Sequence, residues 1–328
     1  MKFFTNEAWE KVSDENKEIL DDYSMELEVQ GKAPKTIYQY QADIKGFLCW
    51  NAEHNKDKYL LDLKRKDFVK FQLGQTRAGT SNARINRFQS SLRNMLQYCV
   101  MEEDLYPDYQ INPMAMIKGL EKKSVRDIYF LTDKQVSYLI YKFLVTGKTQ
   151  VALWVSMSYD TGARRNEILQ ISKDEILDSN VTNEVVGKRS KKFKLIYSNR
   201  TKAIAKQWLE ERGDDEVDSL WVVGNGKDRH AVRYSTFYDW AIMCARLLHE
   251  QDGEDYKFGP HTFRHTALER FSDGTHYYAR HELGRSDGMD INMLKNIAHH
   301  SDISTTQGYL QDKSTKAMEE AFGVKLSE

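Results

Sequence analysis

Apolar residues recur at three- and four-residue steps through most of the first 115 residues, a spacing that predicts helices. Leu20, Tyr23, Met25 and Leu27 mark a long helix ending at Gly31. Ala33-Pro34-Lys35-Thr36 opens a second, carried by Ile37, Tyr40, Ile44, Phe47 and Leu48. A shorter helix is expected around Asp67–Leu73, and a fourth from about Ser81 to Met101 with Ile85, Phe88, Leu92, Leu96 and Cys99 on one stripe. Such stripes are most simply a helical core. The informative residues are Lys35, Arg84, Arg87 and Arg93, cations off the stripes of helices that already possess an apolar face.

Two of the four prolines fall between Tyr106 and Pro113, where a helix should stop. The charged stretch from Leu120, LEKKSVRDIYF, precedes a fresh start at Leu131-Thr132-Asp133, with Thr132 or Asp133 as N-cap. The pattern predicts a helical domain over 1–118, a linker over 119–130 and a second domain over 131–328. That second half is mixed. Helices are expected over Val136–Leu144 and Val151–Tyr159, and two short strands, Thr182–Val186 and Phe193–Tyr197, around a bend at Gly187. Helices resume near Thr201–Glu211, Ser235–Leu248, His261–Phe271, Met289–Ala298, Ser304–Tyr309 and Lys313–Phe322.

Length agrees with this division, since 328 residues suggest two domains at roughly 150 each. No apolar run approaches the ~20 residues needed to span a bilayer, so no membrane is expected as a partner. The opening MKFFTNEAWEKVSDENKE turns acidic at once and does not read as a secretory signal. Cys49, Cys99 and Cys244 have no paired spacing, which points to a reducing cytoplasm. The net charge of −1 hides local asymmetry. Residues 1–30 hold 3 Lys/Arg against 9 Asp/Glu, and residues 31–100 hold 13 against 5. Between Val185 and Trp208 stand eight Lys/Arg and no carboxylate. Runs like these are either solvated faces or the footprint of a polyanion.

Phosphodiester chemistry without a metal needs a nucleophile, cations around the non-bridging oxygens and an acid for the leaving oxygen. The second half offers Arg164 in YDTGARRNEIL, Lys188 in the basic hairpin, His261 and Arg264 in HTFRH, His300 in AHHSD and Tyr309 in TTQGY. In order and spacing this set resembles the tyrosine recombinases, the phage integrase family. Those carry an arginine in a T-G-x-R-x-x-E turn, a hairpin lysine, an H-x-x-R pair and a late histidine with a tyrosine nine residues on. The segment from Ser301 to Gln307 fills the last gap as in that family. Thr36-Ile37 with Tyr40, the Arg84–Arg87 run with Leu92-Arg93, and Asn112-Pro113 are similar to the family's helical core-binding domain.

The resemblance implies a mainly α protein with a small β-sheet: a SAM-like core-binding domain, then an α+β catalytic domain, the two clamping double-stranded DNA. Lys35, Arg84, Arg87, Arg93, Arg189, Lys191 and Lys192 would meet phosphates, which position a protein without reading sequence. Tyr309 would attack the scissile phosphate and form a 3′-phosphotyrosyl link. Arg164 and Arg264 would hold the non-bridging oxygens, and Lys188 would protonate the 5′ oxygen. His261 and His300 would donate to the developing charge or assist proton transfer at Tyr309. Glu167, three residues after Arg164, is an orienting carboxylate or a surface salt bridge. The stored phosphotyrosyl bond would make ATP and metal unnecessary. The His261 and His265 spacing suits a metal on one helical face, but Thr262 stands where such a site has its glutamate.

Several features depart from the family. Thirty-six residues separate Arg264 from His300, about a dozen more than usual, with the surplus in THYYARHELGRSDGMD. Tyr277, Tyr278 and His281 in that surplus are expected to pack in or cover a loop. Ala298-His299 replaces the usual Leu-Gly, and Arg165-Asn166 adds polar bulk beside Arg164. Two function classes stay open: a site-specific recombinase of a phage or mobile element, and a DNA-binding regulator such as a phage repressor that keeps the fold without recombining. Either would work on the nucleoid of a bacterial host. The tail LQDKSTKAMEEAFGVKL, with Ala317, Met318, Ala321 and Phe322 at helical spacing, would pack on a neighbouring protomer or fold back on its own domain.

Overall fold

Capping chemistry sets several helix starts in the N-terminal unit. Thr5 Oγ1 accepts from Ala8 N–H (3.1 Å) to open α1 (Asn6–Glu10), and Pro34 stands in the first turn of α3 (Pro34–Asn55). Ser81 accepts from Arg84 N–H (3.4 Å) to open α5 (Asn82–Met101). Between these lie α2 (Asp14–Val29), a single 3-10 turn at Leu60–Asp62 and α4 (Arg65–Arg77). A computed structural model describes residues 4–121, 129–300, 302–307 and 310, and the chain divides into two compact units, 1–127 and 128–328.

The expected stripes form the core of the first unit. Ile44, Phe47, Leu48, Leu92 and Leu96 are almost fully buried. Phe47 stacks on Phe68 at 5.3 Å and meets Phe71 edge-on at 5.1 Å. Met25 is an exception at 58% exposure, because its position on α2 turns it away from α3.

The second unit is built around α7 (Thr149–Thr161), in which every residue but Gln150 is buried. A helix buried all round belongs in the middle of a domain, and α7 packs against α6 (Asp133–Val145), α9 (Asn199–Arg212) and α11 (Pro260–Ser272). Thr132 caps α6, accepting from Gln135 N–H while Gln135 Oε1 accepts from Thr132 N–H. Next comes the short α8 (Arg165–Leu169), then the antiparallel pair β1 (Val185–Val186) and β2 (Lys192–Phe193), bent at Gly187. The strands are shorter than the sequence predicts. Thr182 Oγ1 takes the Leu195 N–H and replaces a ladder bond, so pairing beyond β1 and β2 shrinks to a bridge between Val181 and Ile196. A second small hairpin, β3 (Val222–Val223) with β4 (His230–Ala231), was not anticipated, since two-residue strands leave no alternation to read. Helices α10 (Thr236–Asp252), α12 (Ile291–Ile297) and α13 (Ile303–Gln307) complete the described elements. The tail helix expected over Lys313–Phe322 lies outside the described residues.

The surplus segment after α11 is packed into the unit. His276 is fully buried between Phe271 (ring centroids 3.7 Å, 5°) and Tyr159 (4.0 Å, 22°). Its Nδ1 accepts from Tyr278 N–H (3.1 Å), so its Nε2 carries the proton and donates to the Tyr159 carbonyl (3.1 Å). A one-turn π-helix, Tyr278–Glu282, brings Glu282 onto the start of α9, where it accepts from Asn199 N–H (2.7 Å) and Arg200 N–H (3.2 Å). The Arg200 guanidinium covers Tyr277 at 3.7 Å. Tyr277 and Tyr278 are half-buried as expected, whereas His281 is exposed.

Burial, with Arg200 and Arg270 nearby, holds the His276 imidazole down to about 3 against the ordinary 6.5. A folded-state value below the unfolded one means stability present above pH 6.5 and lost as pH falls toward 3, at up to about 1.4 kcal/mol per pH unit. His276→Phe keeps the ring sandwich but removes the titration and the acceptor for Tyr278. Its deficit against the parent should be about 1–3 kcal/mol at neutral pH. Denaturant unfolding at a series of pH values should show the gap closing below 6.5; a constant gap would refute this account.

Candidate active site

The turn from α7 into α8 places the first arginine. Gly162 sits in the left-handed region (φ +56°), which a residue with a β-carbon rarely adopts. Arg164 follows as N-cap of α8. Its backbone N–H donates to Glu167 Oε2 (2.6 Å) and its Nη1 to Glu167 Oε1 (2.9 Å). Glu167 is 1% exposed. It is therefore a buried carboxylate gripping Arg164 at two points, not a surface salt bridge.

Arg264 on α11 is fully buried. Its Nη1 donates to the Gly162 carbonyl (2.5 Å), and its Nη2 to the Ala298 carbonyl (2.7 Å) and His300 Nε2 (2.7 Å). A guanidinium can only donate, so Nε2 of His300 is the acceptor. The proton then sits on Nδ1, which donates to Thr306 Oγ1 (2.9 Å). The Arg264 bond thus decides the His300 tautomer.

Arg164, Lys188, Arg189, Lys191 and His300 line one cleft of about 670 Å³. Lys295, His299 and Thr305 also border it, and Asp302 is the one carboxylate among its described lining residues. Lys192 points elsewhere, bridging to Glu184 at 3.1 Å. His261 stands in the first turn of α11. Although its side chain is exposed, desolvation by its surroundings, then His265, Arg264, Arg164 and Arg165, hold its imidazole at about 4. Burial, then Arg264 and Arg164, hold His300 at about 3. Both rings are neutral at pH 7 and able to accept a proton, and an arriving anion would push both values up. Tyr309 lies outside the described residues. Among the described residues, no three His, Cys, Asp or Glu side chains gather as a metal site.

Sequence reasoning missed Lys295 and Phe193. Lys295 gave no signal beyond its charge. Phe193 read only as a strand residue. Thr306 was legible only as part of the family-like segment before Tyr309.

The N-terminal cations divide into two kinds. Lys35 is exposed in the first turn of α3. Arg84 and Arg87 both reach Asp43, a fully buried carboxylate: Arg84 Nη1 lies 2.7 Å from Oδ1, and Arg87 donates through Nε and Nη2 at 3.1 Å each. Arg93 donates to the carbonyls of Met114 (3.2 Å) and Ile117 (2.8 Å), pinning the Pro113 segment to α5. These three arginines hold the unit together as well as adding charge to it.

The fold and this arrangement belong to a known class. The phage integrase family profile matches residues 129–316, more than half of the chain, and the chain belongs to that family, the tyrosine recombinases. Among its relatives are the SPbeta prophage-derived recombinase-like protein YomM of Bacillus subtilis, 24% identical over 92% of this chain and 89% of that one, and the tyrosine recombinase XerD of Oceanobacillus iheyensis, 26% identical over 88% and 92%. Two solved structures share the mainly α fold. The Tn1549 transposon integrase in complex with transposon right end DNA matches with TM-score 0.68 at 15% identity, over 93% of this chain and 99% of that one. The lambda integrase dimer bound to a COC′ core site matches with TM-score 0.63 at 16% identity, over 88% and 96%.

Two stability outcomes follow from these contacts. Glu167→Ala removes the acceptor from two Arg164 donors and should cost about 1–3 kcal/mol by denaturant unfolding, while Glu167→Gln, which retains one acceptor, should lose less. Equal losses would show that the acceptor is immaterial. Arg84→Ala combined with Arg87→Ala strands a buried carboxylate and should cost about 3–5 kcal/mol. Adding Asp43→Asn should return part of that loss; no recovery would show that Asp43 is not the group that suffers.

Proposed function

We propose that this protein is a site-specific DNA recombinase that cuts and rejoins duplex DNA through a 3′-phosphotyrosyl intermediate. The observation that carries this reading is the single cationic cleft. Arg164, Lys188 and His300, 136 residues apart from first to last, come together over the buried Arg264 guanidinium. Preorganised cations around a place for a phosphate are what a metal-free phosphoryl transfer requires.

In the proposed reaction the Tyr309 oxygen attacks phosphorus and the bond to the 5′ oxygen breaks. The Tyr309 proton passes to a neutral imidazole, His261 or His300. Lys188 delivers a proton to the departing 5′ oxygen, so a phosphodiester is exchanged for a phosphotyrosyl diester with no net hydrolysis. Arg164 holds a non-bridging oxygen from the wall of the cleft, fixed in place by Glu167. Arg264 supplies its charge from the floor, and an entering phosphate oxygen takes the place of its His300 contact. Attack by a free 5′ hydroxyl reverses the step, and neither ATP nor metal enters the balance.

The N-terminal unit serves as the core-binding domain, with Lys35, Arg84 and Arg87 on phosphates, joined by the linker over 119–130 to the catalytic unit. Arg189 and Lys191 extend the contact beside the cleft. Copies assemble on DNA, with the residues after Lys313 as the exchanged contact. The setting is the bacterial cytoplasm, in the service of a phage or mobile element; no helix among the described residues is long and apolar enough to cross a membrane.

The test begins with a duplex site selected from a random library by the full-length protein. A nicked suicide version of that site should trap a covalent protein–DNA adduct. Tyr309→Phe should abolish the adduct while leaving affinity within about twofold, since only a hydroxyl is lost. Affinity should fall linearly in log–log against salt, by about 0.9 per phosphate neutralised. A tight complex from which wild type never becomes covalent identifies a DNA-binding regulator instead and removes the enzyme assignment.

A further inference from the structure

His299 stands where this family usually has glycine, and its backbone shows why glycine suits the place. It occupies the first position past the C-cap of α12, where its N–H donates to Asn296 O (3.1 Å) and the next N–H, of His300, donates to Lys295 O (3.0 Å). Its φ is +50°. That left-handed conformation costs a residue with a β-carbon about 1–2 kcal/mol and glycine nothing. Something in the tertiary structure must offset the cost, and among the described residues the histidine ring makes a contact able to do so. It lies flat on Phe193 with centroids 3.6 Å apart and planes inclined by 17°.

Phe193 belongs to β2 and pairs with Val185 of β1. It also underlies Gly187, where an added β-carbon would come within 2.6 Å of the Phe193 ring. Gly187 immediately precedes Lys188. One ring pair therefore joins the turn that carries His300 to the hairpin that carries Lys188, and Lys188, His299 and His300 border the same cleft. The hairpin has little other regular structure: two-residue strands, an exposed tip, and left-handed backbone at Arg189 (φ 61°) and Ser190 (φ 56°).

We propose that His299 is a positioning residue whose ring, stacked on Phe193, holds the β1–β2 hairpin against the α12 turn and so sets where the Lys188 ammonium stands. The proposal rests on the reading of Lys188 as the acid for the 5′ oxygen. Burial and the neighbouring Lys191, Arg264 and Arg164 outweigh Glu167 and hold the His299 ring at about 4, so it stacks as an uncharged plane.

The experiment compares full-length wild type, His299→Gly, His299→Phe and Lys188→Ala in single-turnover cleavage of the selected suicide duplex. Two leaving atoms are used: ordinary oxygen, and a 5′-bridging sulfur. A thiolate departs without a proton, its conjugate acid having a pKa of roughly 8.5 against about 15.7 for water. On oxygen, His299→Gly should slow cleavage between about 10- and 100-fold, the scale of a misplaced catalytic group. On sulfur its rate should return to within about threefold of wild type, as that of Lys188→Ala should. His299→Phe retains the stack without ring nitrogens and should stay near wild type on both. His299→Gly should also unfold no earlier than wild type, since glycine relieves the backbone, while amides 187–192 exchange with solvent faster.

Equal slowing on oxygen and sulfur, no slowing on either, or His299→Phe as slow as His299→Gly would each overturn the positioning role while leaving the enzyme assignment in place. Failure of sulfur to rescue Lys188→Ala would show that Lys188 is not the acid, and the proposal would fall with that reading. Unchanged hairpin exchange in His299→Gly overturns it without reference to any strand cleavage.

Discussion

The second unit depends on one buried cation. Arg264 has no exposure to solvent, and its guanidinium reaches the end of α7 through Gly162, the end of α12 through Ala298, and His300 itself. Removing such a charge from water costs several kcal/mol unless its donors are met by acceptors. The Gly162, Ala298 and His300 acceptors come from segments distant in sequence, so the chain can make these bonds only by bringing those segments together. Bringing them together is also what assembles the floor of the cleft. The electrostatic demand of one side chain and the geometry of the site are the same constraint.

That floor explains the histidines. His261, His299 and His300 all lie well below the ordinary imidazole range, through desolvation by their surroundings (His300 is buried, His261 open to solvent) and through the guanidiniums of Arg264 and Arg164. A site so positive keeps its imidazoles neutral until an anion arrives. Neutral rings are proton acceptors, and a phosphate bound beside them would raise their affinity for a proton. The same cations that would attract a phosphate thus also keep the neighbouring imidazoles neutral.

A surplus of this length between Arg264 and His300 has room to stand out as a free loop. Its anchors show another use. His276 fills the space between Tyr159 and Phe271, Asp133 accepts from Tyr277 N–H (3.0 Å), and Glu282 caps α9. The segment braces α7, α9 and α11, the helices that carry or adjoin the site, and it does so away from the cleft-lining residues. A longer connection can be accommodated at small entropic cost when its own side chains are bound in this way.

Much of this was readable from the sequence alone, for local reasons. Helix spans over Asp14–Val29, Pro34–Asn55 and Asn82–Met101 follow from the 3.6-residue period and from residues such as Pro34 and Ser81 that start helices. The candidates Arg164, Lys188, Arg264 and His300 follow from motif order, because family chemistry ties residue type to spacing. What only the tertiary structure decided is how each charge is used. Arg84, Arg87 and Arg93 look alike as off-stripe cations, yet two neutralise the buried Asp43 and one pins a loop, since burial and partner are set by residues far away in the chain. Glu167 could have been a surface ion until folding enclosed it. His299 read as a departure from a glycine, and only the placement of Phe193 flat against its ring supplied a contact able to offset its left-handed backbone. Sequence determined which side chains carry charge and which segments are helical; long-range packing determined which charges face solvent and which are buried, and that difference governs their energy.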